Sequence, residues 1–341
     1  MGHAQQLSIN RQEPHPLLSS KRINLFSQHY RKKYGQAVGK IALGLGRPCP
    51  NRLLGGCIYC APASFTPYYV DGRESIAGQL AKGRGFLATR KYRRYFAYFQ
   101  QETPTAGPLA ELVEAFNQAT ADPDCVGLIV STRPDYLDAA IVAELAAHAS
   151  PAAGREVLVE LGLQSVHDRT LRLLNRNHDF RDFSDAARRV KAAGLNLGVH
   201  LILGLPGEEF PDMLATVRQV AALGVDAIKF HHLQVIKGTT LHRLYQATPF
   251  PVLAPFDYLT ILARLLAHVP AEVVIHRLWS FSAPTLLVQP RWGGLGARQL
   301  HEMLAEIMER EGLWQGLLGS GASAASASVC ASRPIATGNG G

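Results

Sequence analysis

Between residues 14 and 70 the chain has no aspartate and no glutamate. The same stretch holds eight basic residues, Lys21, Arg22, Arg31, Lys32, Lys33, Lys40, Arg47 and Arg52. Elsewhere 27 basic residues balance 27 acidic ones, so the whole net charge of +8 sits in this segment. Two readings are open. The segment can be a landing site for a polyanion such as RNA, or a solvated basic arm whose charges balance a bound anionic cofactor. Long apolar runs are also missing. None approaches the roughly 18 residues of a membrane span, and residues 1–16 lack the apolar core of a secretion signal. The expectation is a cytoplasmic protein with no membrane contact. Cysteine is scarce: five residues, odd in number and clustered. That excludes a disulfide framework and, in a reducing compartment, points to a metal site. Hydrophobic residues make up 47% of 341, enough for a sizeable core.

Three of the five cysteines fall in residues 48–60, spaced C-x7-C-x2-C as Cys49, Cys57 and Cys60. Gly55 and Gly56 allow a tight turn just before the second of them. Three thiolates without an evident fourth suggest a centre with one open position. Zinc, completed by a histidine, would make a closed structural site. A [4Fe–4S] cluster held by three thiolates would leave one iron for a substrate or cofactor. Spacing does not choose between them, but a loop leaving the first strand of a parallel array favours the cluster. Cys125 opens a strand and reads as a small core residue. Cys330 lies in a Gly-, Ala- and Ser-rich tail.

Apolar runs at 40–45, 95–99, 126–130, 157–163, 197–203 and 227–233 predict strands. Patterns at 74–88, 108–119, 137–149, 182–193 and 210–223 predict the helices between them, although Gly78, Gly83 and Gly85 weaken the first. Residues 22–36 predict a short helix packed on the domain. Uniformly apolar strands alternating with amphipathic helices imply a parallel α/β sheet covered on both faces. Six units fit a partial (β/α)6 TIM-like barrel, with an open doubly wound sheet as the alternative. The expected organisation is a disordered 1–20, a core over 21–240, a small C-terminal extension over 241–317 capping the barrel, and a disordered 318–341. The extension predicts a helix at 257–268, a strand at 273–277 and a helix at 299–311.

Polar residues gather at the predicted strand ends, where parallel barrels do their chemistry. They are residues 99–105, 131–135, Gln164-Ser165, 204–208, and Lys229 with His231 and His232. Each has a plain structural reading: a capping turn at 132–135, a strand-to-helix turn at 204–208, core histidines at His200, His231 and His232. Together, at successive strand ends, they predict a site. Glu160 lies within an apolar strand and needs a partner, either a ligand hydroxyl or a basic side chain.

Seven ordered blocks carry a family resemblance. They are Cys-Pro-Asn-Arg with Gly-Gly-Cys-Ile-Tyr-Cys, Tyr98-Phe99-Gln100, Thr132-Arg133-Pro134-Asp135, Glu160 to Ser165, Asn175-Arg176-Asn177-His178, His200 to Glu208, and Ile228 to His231 through Lys237-Gly238-Thr239. With these, residues 22–300 resemble a radical S-adenosylmethionine (SAM) enzyme of the bacterial YhcC-like subgroup, related to the radical SAM domain of the Elongator catalytic subunit. The first cysteine gap is longer than the superfamily's common C-x3-C-x2-C, as it is in Elongator-like relatives. The resemblance implies a radical SAM barrel in which Cys49, Cys57 and Cys60 hold a [4Fe–4S] cluster and SAM chelates its fourth iron. An electron donor such as flavodoxin or ferredoxin would drive reductive cleavage to a 5′-deoxyadenosyl radical, which abstracts a substrate hydrogen.

By motif position, the backbone around Phe99, Gln100 and Thr103 would receive the SAM amino group. Glu160 would bind the ribose hydroxyls. Gln164 and Arg176 would make polar contacts, with Arg176 on the carboxylate. Leu203, Gly204 and His231 would line the adenine, and Tyr59 would pack beside cluster or adenine. The implied substrate is tRNA at a wobble uridine. Elongator's acetyltransferase activity is not carried over, because the residues after 240 do not show that domain. His276-Arg277, Pro284 and Arg291-Trp292 would shape the substrate pocket. A small-metabolite substrate and a zinc-stabilised nucleic-acid-binding module are the alternatives.

Overall fold

The apolar runs become strands because Val, Ile, Leu and aromatic residues fit a pleated surface buried on both faces. The computed structural model describes residues 22–150 and 154–319. Its strands are β1 (Val38–Leu43), β2 (Arg94–Phe99), β3 (Cys125–Thr132), β4 (Glu156–Gln164), β5 (Asn196–Leu203), β6 (Ala227–His232), β7 (Val235–Ile236), β8 (Val274–Arg277) and β9 (Leu287–Gln289). Its helices are α1 (Phe26–Tyr34), α2 (Ile76–Ala88), α3 (Leu109–Thr120), α4 (Ala139–His148), α5 (Asp168–Leu173), α6 (Phe180–Ala192), α7 (Phe210–Ala222), α8 (Thr240–Ala247), α9 (Pro255–Leu266) and α10 (Ala297–Arg310).

Seven strands form one sheet in the order β1-β2-β3-β4-β5-β6-β8, every pairing parallel. The sheet curls into a partial barrel, with β1 and β8 as its two edges. The strand predicted at 273–277 therefore joins the main sheet as its seventh member. Its pairing with β6 is a long-range contact that local pattern does not encode. β7 and β9 pair antiparallel in a second, two-stranded sheet that the pattern did not predict. α5 and α8 were also missed; at 6 and 8 residues they are too short for a clear period. Leu318, expected in the disordered tail, instead donates its amide to Ala267 O at 2.7 Å. The expectations for residues 1–20, for 320–341 and for Cys330 lie outside the described residues. Among the described residues, no helix is long and apolar enough to cross a membrane.

α2 forms despite its three glycines because Ser75 caps its first turn. Gly83 faces β1, where a Cβ would come within 2.2 Å of Ile41 Cγ2. The glycine weakens the helix by propensity and lets it lie close on the strand. The main core packs helices against the outer face of the sheet and includes Phe99, Phe116, Leu128, Phe183 and Leu259. A smaller core lies inside the curl. There Val38, Phe96, Ile129, Leu158 and Ala227 meet Phe26, Tyr30 and Tyr34 of α1. Each fully buried aromatic or aliphatic side chain contributes about 1.5–3 kcal/mol, so α1 is held as a plug at the strands' N-terminal ends.

Side chains alternate faces along a strand, so Leu158, Glu160 and Gly162 point the same way, as do Ala227, Lys229 and His231. The interior is thereby layered. An apolar plug comes first, a charged layer with Glu160 and Lys229 next, and an open cavity above it at the C-terminal strand ends.

Candidate cofactor site

The cysteine loop follows β1. A short 3-10 helix, Pro50–Leu54, ends at Gly55 and Gly56, whose φ values of 89° and 72° favour glycine. Cys49, Cys57 and Cys60 are free thiols, and all three line one cavity of about 260 Å³. Among the described residues, no three His, Cys, Asp or Glu groups are placed to share a single metal ion.

Two motif segments clamp the loop from across the barrel. Asn175 and Asn177 adopt positive φ, 51° and 52°. Asn175 Nδ2 donates to Gly56 O at 2.7 Å and Leu54 O at 2.9 Å. Asn51 Nδ2 donates to Asn175 O at 2.8 Å and contacts Cys57 Sγ at 3.2 Å, while Asn177 Nδ2 donates to Asn51 Oδ1 at 2.7 Å. Glu102, itself at φ 58°, accepts from the Cys49 amide at 2.9 Å and from Arg52 at 2.7 and 3.0 Å. Thr103 Oγ1 donates to Cys49 Sγ at 3.1 Å. Donors on the sulfurs stabilise thiolate charge and tune a bound cluster. The sequence alone assigns no role to these asparagines or to Glu102. The signal was a strand-end carboxylate and asparagine-rich turns, the residues that best tolerate positive φ.

Arg176 sits in this clamp. It donates to Cys57 Sγ and Tyr59 OH at 3.2 Å, to Gly162 O, and to His178 Nε2 at 2.9 Å. Burial, then Arg176 itself, holds His178 down to about 2, so the imidazole is a neutral acceptor. The guanidinium expected for the SAM carboxylate is thus committed to protein groups. Arg133, also buried, lines the cavity with an Nη1 that has no hydrogen-bond partner. Its Nη2 reaches Asp135 and the carbonyl of Arg176 at 2.8 Å.

Gln100, Thr103, Gln164, Arg176 and His231 line the cavity. Gln164 does so from a positive φ of 79° at a register shift between β4 and β5. His231 Nδ1 is 2.6 Å from Ser280 Oγ, and its Nε2 is buried without a partner. Four other candidates are placed differently. Phe99 packs its ring on Phe116 in the outer core, so only its backbone is left for the expected contact, and Leu203 is buried in the same core. Gly204 faces Leu253 and donates its amide to Met213 Sδ at 3.4 Å.

Glu160, the fourth, lies below the cavity wall at 1% exposure, and its partners come from the chain. Its Oε2 accepts from Lys229 Nζ at 2.5 Å and His200 Nε2 at 3.0 Å, and its Oε1 meets His276 Nδ1 at 3.2 Å. Lys229 also reaches Tyr98 OH at 2.5 Å. Burial opposes the Glu160 charge, but Lys229 and the two histidine hydrogen bonds outweigh it and hold the carboxyl well below its usual range. Burial, then Lys229, lowers His200 to about 4; burial, then Lys40, lowers His276 to about 3. The layer is an ion pair braced by neutral imidazoles. The buried charge that seemed to call for ribose has its answer in Lys229, which lies too far along the chain for the sequence to pair them.

Three thiols on one cavity, two of them already receiving hydrogen bonds, in a lining that also holds Gln164, Arg133 and His231, fit a cluster and a polar cofactor. This is a half-barrel enzyme with its centre at the strand ends. The chain belongs to the radical SAM superfamily, whose family model matches residues 45–220; the Radical_SAM C-terminal domain model matches residues 225–309. It is similar to Protein YhcC of Escherichia coli (strain K12), 36% identical over 80% of this chain and 88% of that protein. It is 26% identical to the tRNA uridine(34) acetyltransferase of Methanocaldococcus infernus over 57% of this chain and 35% of the relative. Among solved structures, the archaeal Methanocaldococcus infernus Elp3 with an N-terminal deletion superposes with a TM-score of 0.60 at 19% identity, covering 82% of this chain and 64% of the other. That likeness carries the fold. The family implies a [4Fe–4S] cluster and SAM.

Proposed function

We propose that this radical SAM enzyme modifies tRNA at the wobble uridine, with Cys49, Cys57 and Cys60 holding the cluster. The observation that carries the cofactor half is the convergence of the three thiols on one cavity at the strand ends. When bound, the cluster and SAM supply reductive cleavage of the sulfonium and a 5′-deoxyadenosyl radical that removes a hydrogen atom from the substrate. This chain's own part is to bind, orient and shelter. Thr103 donates to Cys49 Sγ, and Asn51 and Arg176 donate to Cys57 Sγ, which holds both sulfurs in place. Arg133 Nη1 is the open guanidinium for the SAM carboxylate, in place of Arg176. Gln100 and Gln164 supply polar contacts from the cavity wall, and His231 Nε2 is an open donor or acceptor for the adenine edge. Glu160 acts from beneath, holding Lys229 and His200 in place.

The tRNA half rests on the likeness to the tRNA uridine(34) acetyltransferase and on the basic surface. Acetyl transfer is left out, since this chain spans only 35% of that relative. The basic segment is thinner in space than in sequence. Lys33 pairs with Glu156, Arg47 with Glu111 and Arg52 with Glu102, acids from later in the chain, and Lys40 is half-buried on β1. Arg31 and Lys32 are exposed on α1, and Lys91 and Arg93 are exposed just before β2. Arg94 lies 6.0 Å from the Tyr34 ring of α1, which joins the two basic runs into one surface. A flavodoxin or ferredoxin supplies the electron.

Anaerobic reconstitution tests the cofactor half. About four irons per chain and reductive formation of methionine and 5′-deoxyadenosine are expected; bound zinc with no iron sinks it. Nucleoside profiles of tRNA from cells lacking the protein test the other half. A missing wobble-uridine modification is expected, and an unchanged profile transfers the enzyme to a small-metabolite substrate.

A further inference from the structure

A second cavity, of about 210 Å³, runs along the gap between the two sheet edges, walled by Val38, Gly39 and Lys40 of β1 and by Ile275, His276 and Arg277 at β8. It meets the cysteine-lined cavity at Tyr98, Gln100, Arg277, Phe65 and Phe281, which line both. Its character differs from the first. Aromatic side chains dominate the wall, among them Phe65, Tyr68, Tyr69, Phe86, Tyr92 and Phe281, and none of the described lining residues is an aspartate or glutamate. Its cationic side chains are Lys40, Arg90, Lys229 and Arg277. Lys229 is spent on Glu160, and burial, then Lys229, lowers Lys40. Arg90 lies 4.1 Å over the Phe86 ring, near the N-terminal ends of β1 and β2. Arg277 stands where the two cavities join, and its charge helps to lower Lys229, His200 and His231. Arg277 thus brings a positive charge to the junction.

Flat apolar faces select planar groups, and stacking on them tolerates any base. A carboxylate-free, guanidinium-bearing wall selects anions, Arg by planar paired hydrogen bonds to phosphate. We infer that this second chamber binds one nucleotide unit of the substrate: the nucleobase against the aromatic wall, a phosphate at Arg277 or Arg90, and the reacting edge turned toward the cysteine-lined cavity. The basic surface of α1 and residues 91–94 lies by the chamber's Arg90 and Tyr92 end, where a polynucleotide backbone would run. Tyr68, 72% exposed, marks the solvent side of the aromatic wall. The inference rests on the tRNA reading and extends it from a partner to an address within the fold.

The test uses the anaerobically reconstituted enzyme with SAM and two probes: an anticodon stem-loop RNA with 4-thiouridine at the wobble position, and uridine 5′-monophosphate. Ultraviolet crosslinks should map to the peptides carrying Phe65-Tyr68 or Phe281. Arg277→Gln and Tyr68→Ala should each weaken binding of the stem-loop about tenfold or more, and Tyr68→Ala, which lies outside the cysteine-lined cavity, should leave SAM cleavage without RNA at the unmodified enzyme's rate. Tyr68→Phe should restore binding. Binding of uridine 5′-monophosphate without the stem-loop would uphold the chamber and remove the tRNA reading. Crosslinks confined to α1, or affinities unmoved by both substitutions, would overturn the chamber. Loss of RNA-independent SAM cleavage in Arg277→Gln would assign Arg277 to the cofactor and overturn it equally.

Discussion

The cysteine loop and the Glu160 layer are both polar, both inside one half-barrel, and they end their hydrogen bonds in opposite ways. Around the loop, asparagines, Arg176 and Glu102 spend their hydrogen bonds on backbone and sulfur, leaving three thiols turned to the cavity. In the layer below, Glu160 takes Lys229, His200 and His276 and is closed upon itself. One region is built to receive a ligand and the other to hold the strands that present it. Buried charge is thus no marker of a ligand contact here. Polar atoms left without a partner in residues that line the cavity, Arg133 Nη1 and His231 Nε2, are better ones.

The comparison is broken most sharply by removing a thiol. Cys57→Ala should cut iron from about four per chain to near none and abolish SAM cleavage, while the fold persists by circular dichroism. Retained iron would mean the loop is not the receiving region. Glu160→Gln should act oppositely: stability falls by about 3–5 kcal/mol, because Lys229 is left buried with no counter-charge. Glu160→Gln with Lys229→Met should recover most of the loss in urea denaturation. SAM affinity of the single variant should change less than twofold. A large affinity loss at unchanged stability would return Glu160 to the cofactor.

The clamp predicts a smaller effect. Asn175→Ala removes two hydrogen bonds to carbonyls and leaves alanine at a φ of 51°. About 1–3 kcal/mol of stability should go, and a chelator should strip iron from the variant several times faster. Equal stripping rates would show that the loop holds its own shape without the clamp.

What was legible in the sequence was what is local. Apolar runs gave six strands and the helices between them, and the cysteine spacing with its glycines gave the loop. What was not legible depends on contacts between distant residues. Glu160 and Lys229 lie on nonadjacent strands, and β8 finds its place only beside β6. The acid-free segment read as one block of charge, yet its countercharges Glu102, Glu111 and Glu156 arrive from elsewhere. Arg176 carried the family motif, but its neighbours decide what the guanidinium touches. The basic residues at 90–94 drew no reading from the sequence and gain meaning only beside α1.

The smallest expected effect concerns pH, and it separates the two regions without touching the cofactor ligands. His200 and His276 are held at about 4 and about 3 in the fold, against 6.5 unfolded. Between pH 6.5 and about 4 the unfolded chain therefore binds more protons than the folded one, so stability rises with pH across that window and is lost on acidification. Glu160 is depressed below its usual range, so its contribution is present above that range and is lost only at still lower pH. Lys229, lowered to about 8 against 10.5, changes stability only between those values, where stability rises with pH. From pH 7 to 5 the histidines of the closed layer act without either member of the ion pair. The urea midpoint should fall steadily over that interval. The slope should flatten in His200→Gln, whose amide keeps a donor toward Glu160 without taking up a proton. An unchanged slope in that variant would place the acid sensitivity outside the Glu160 layer and remove the contrast between a closed region and an open one.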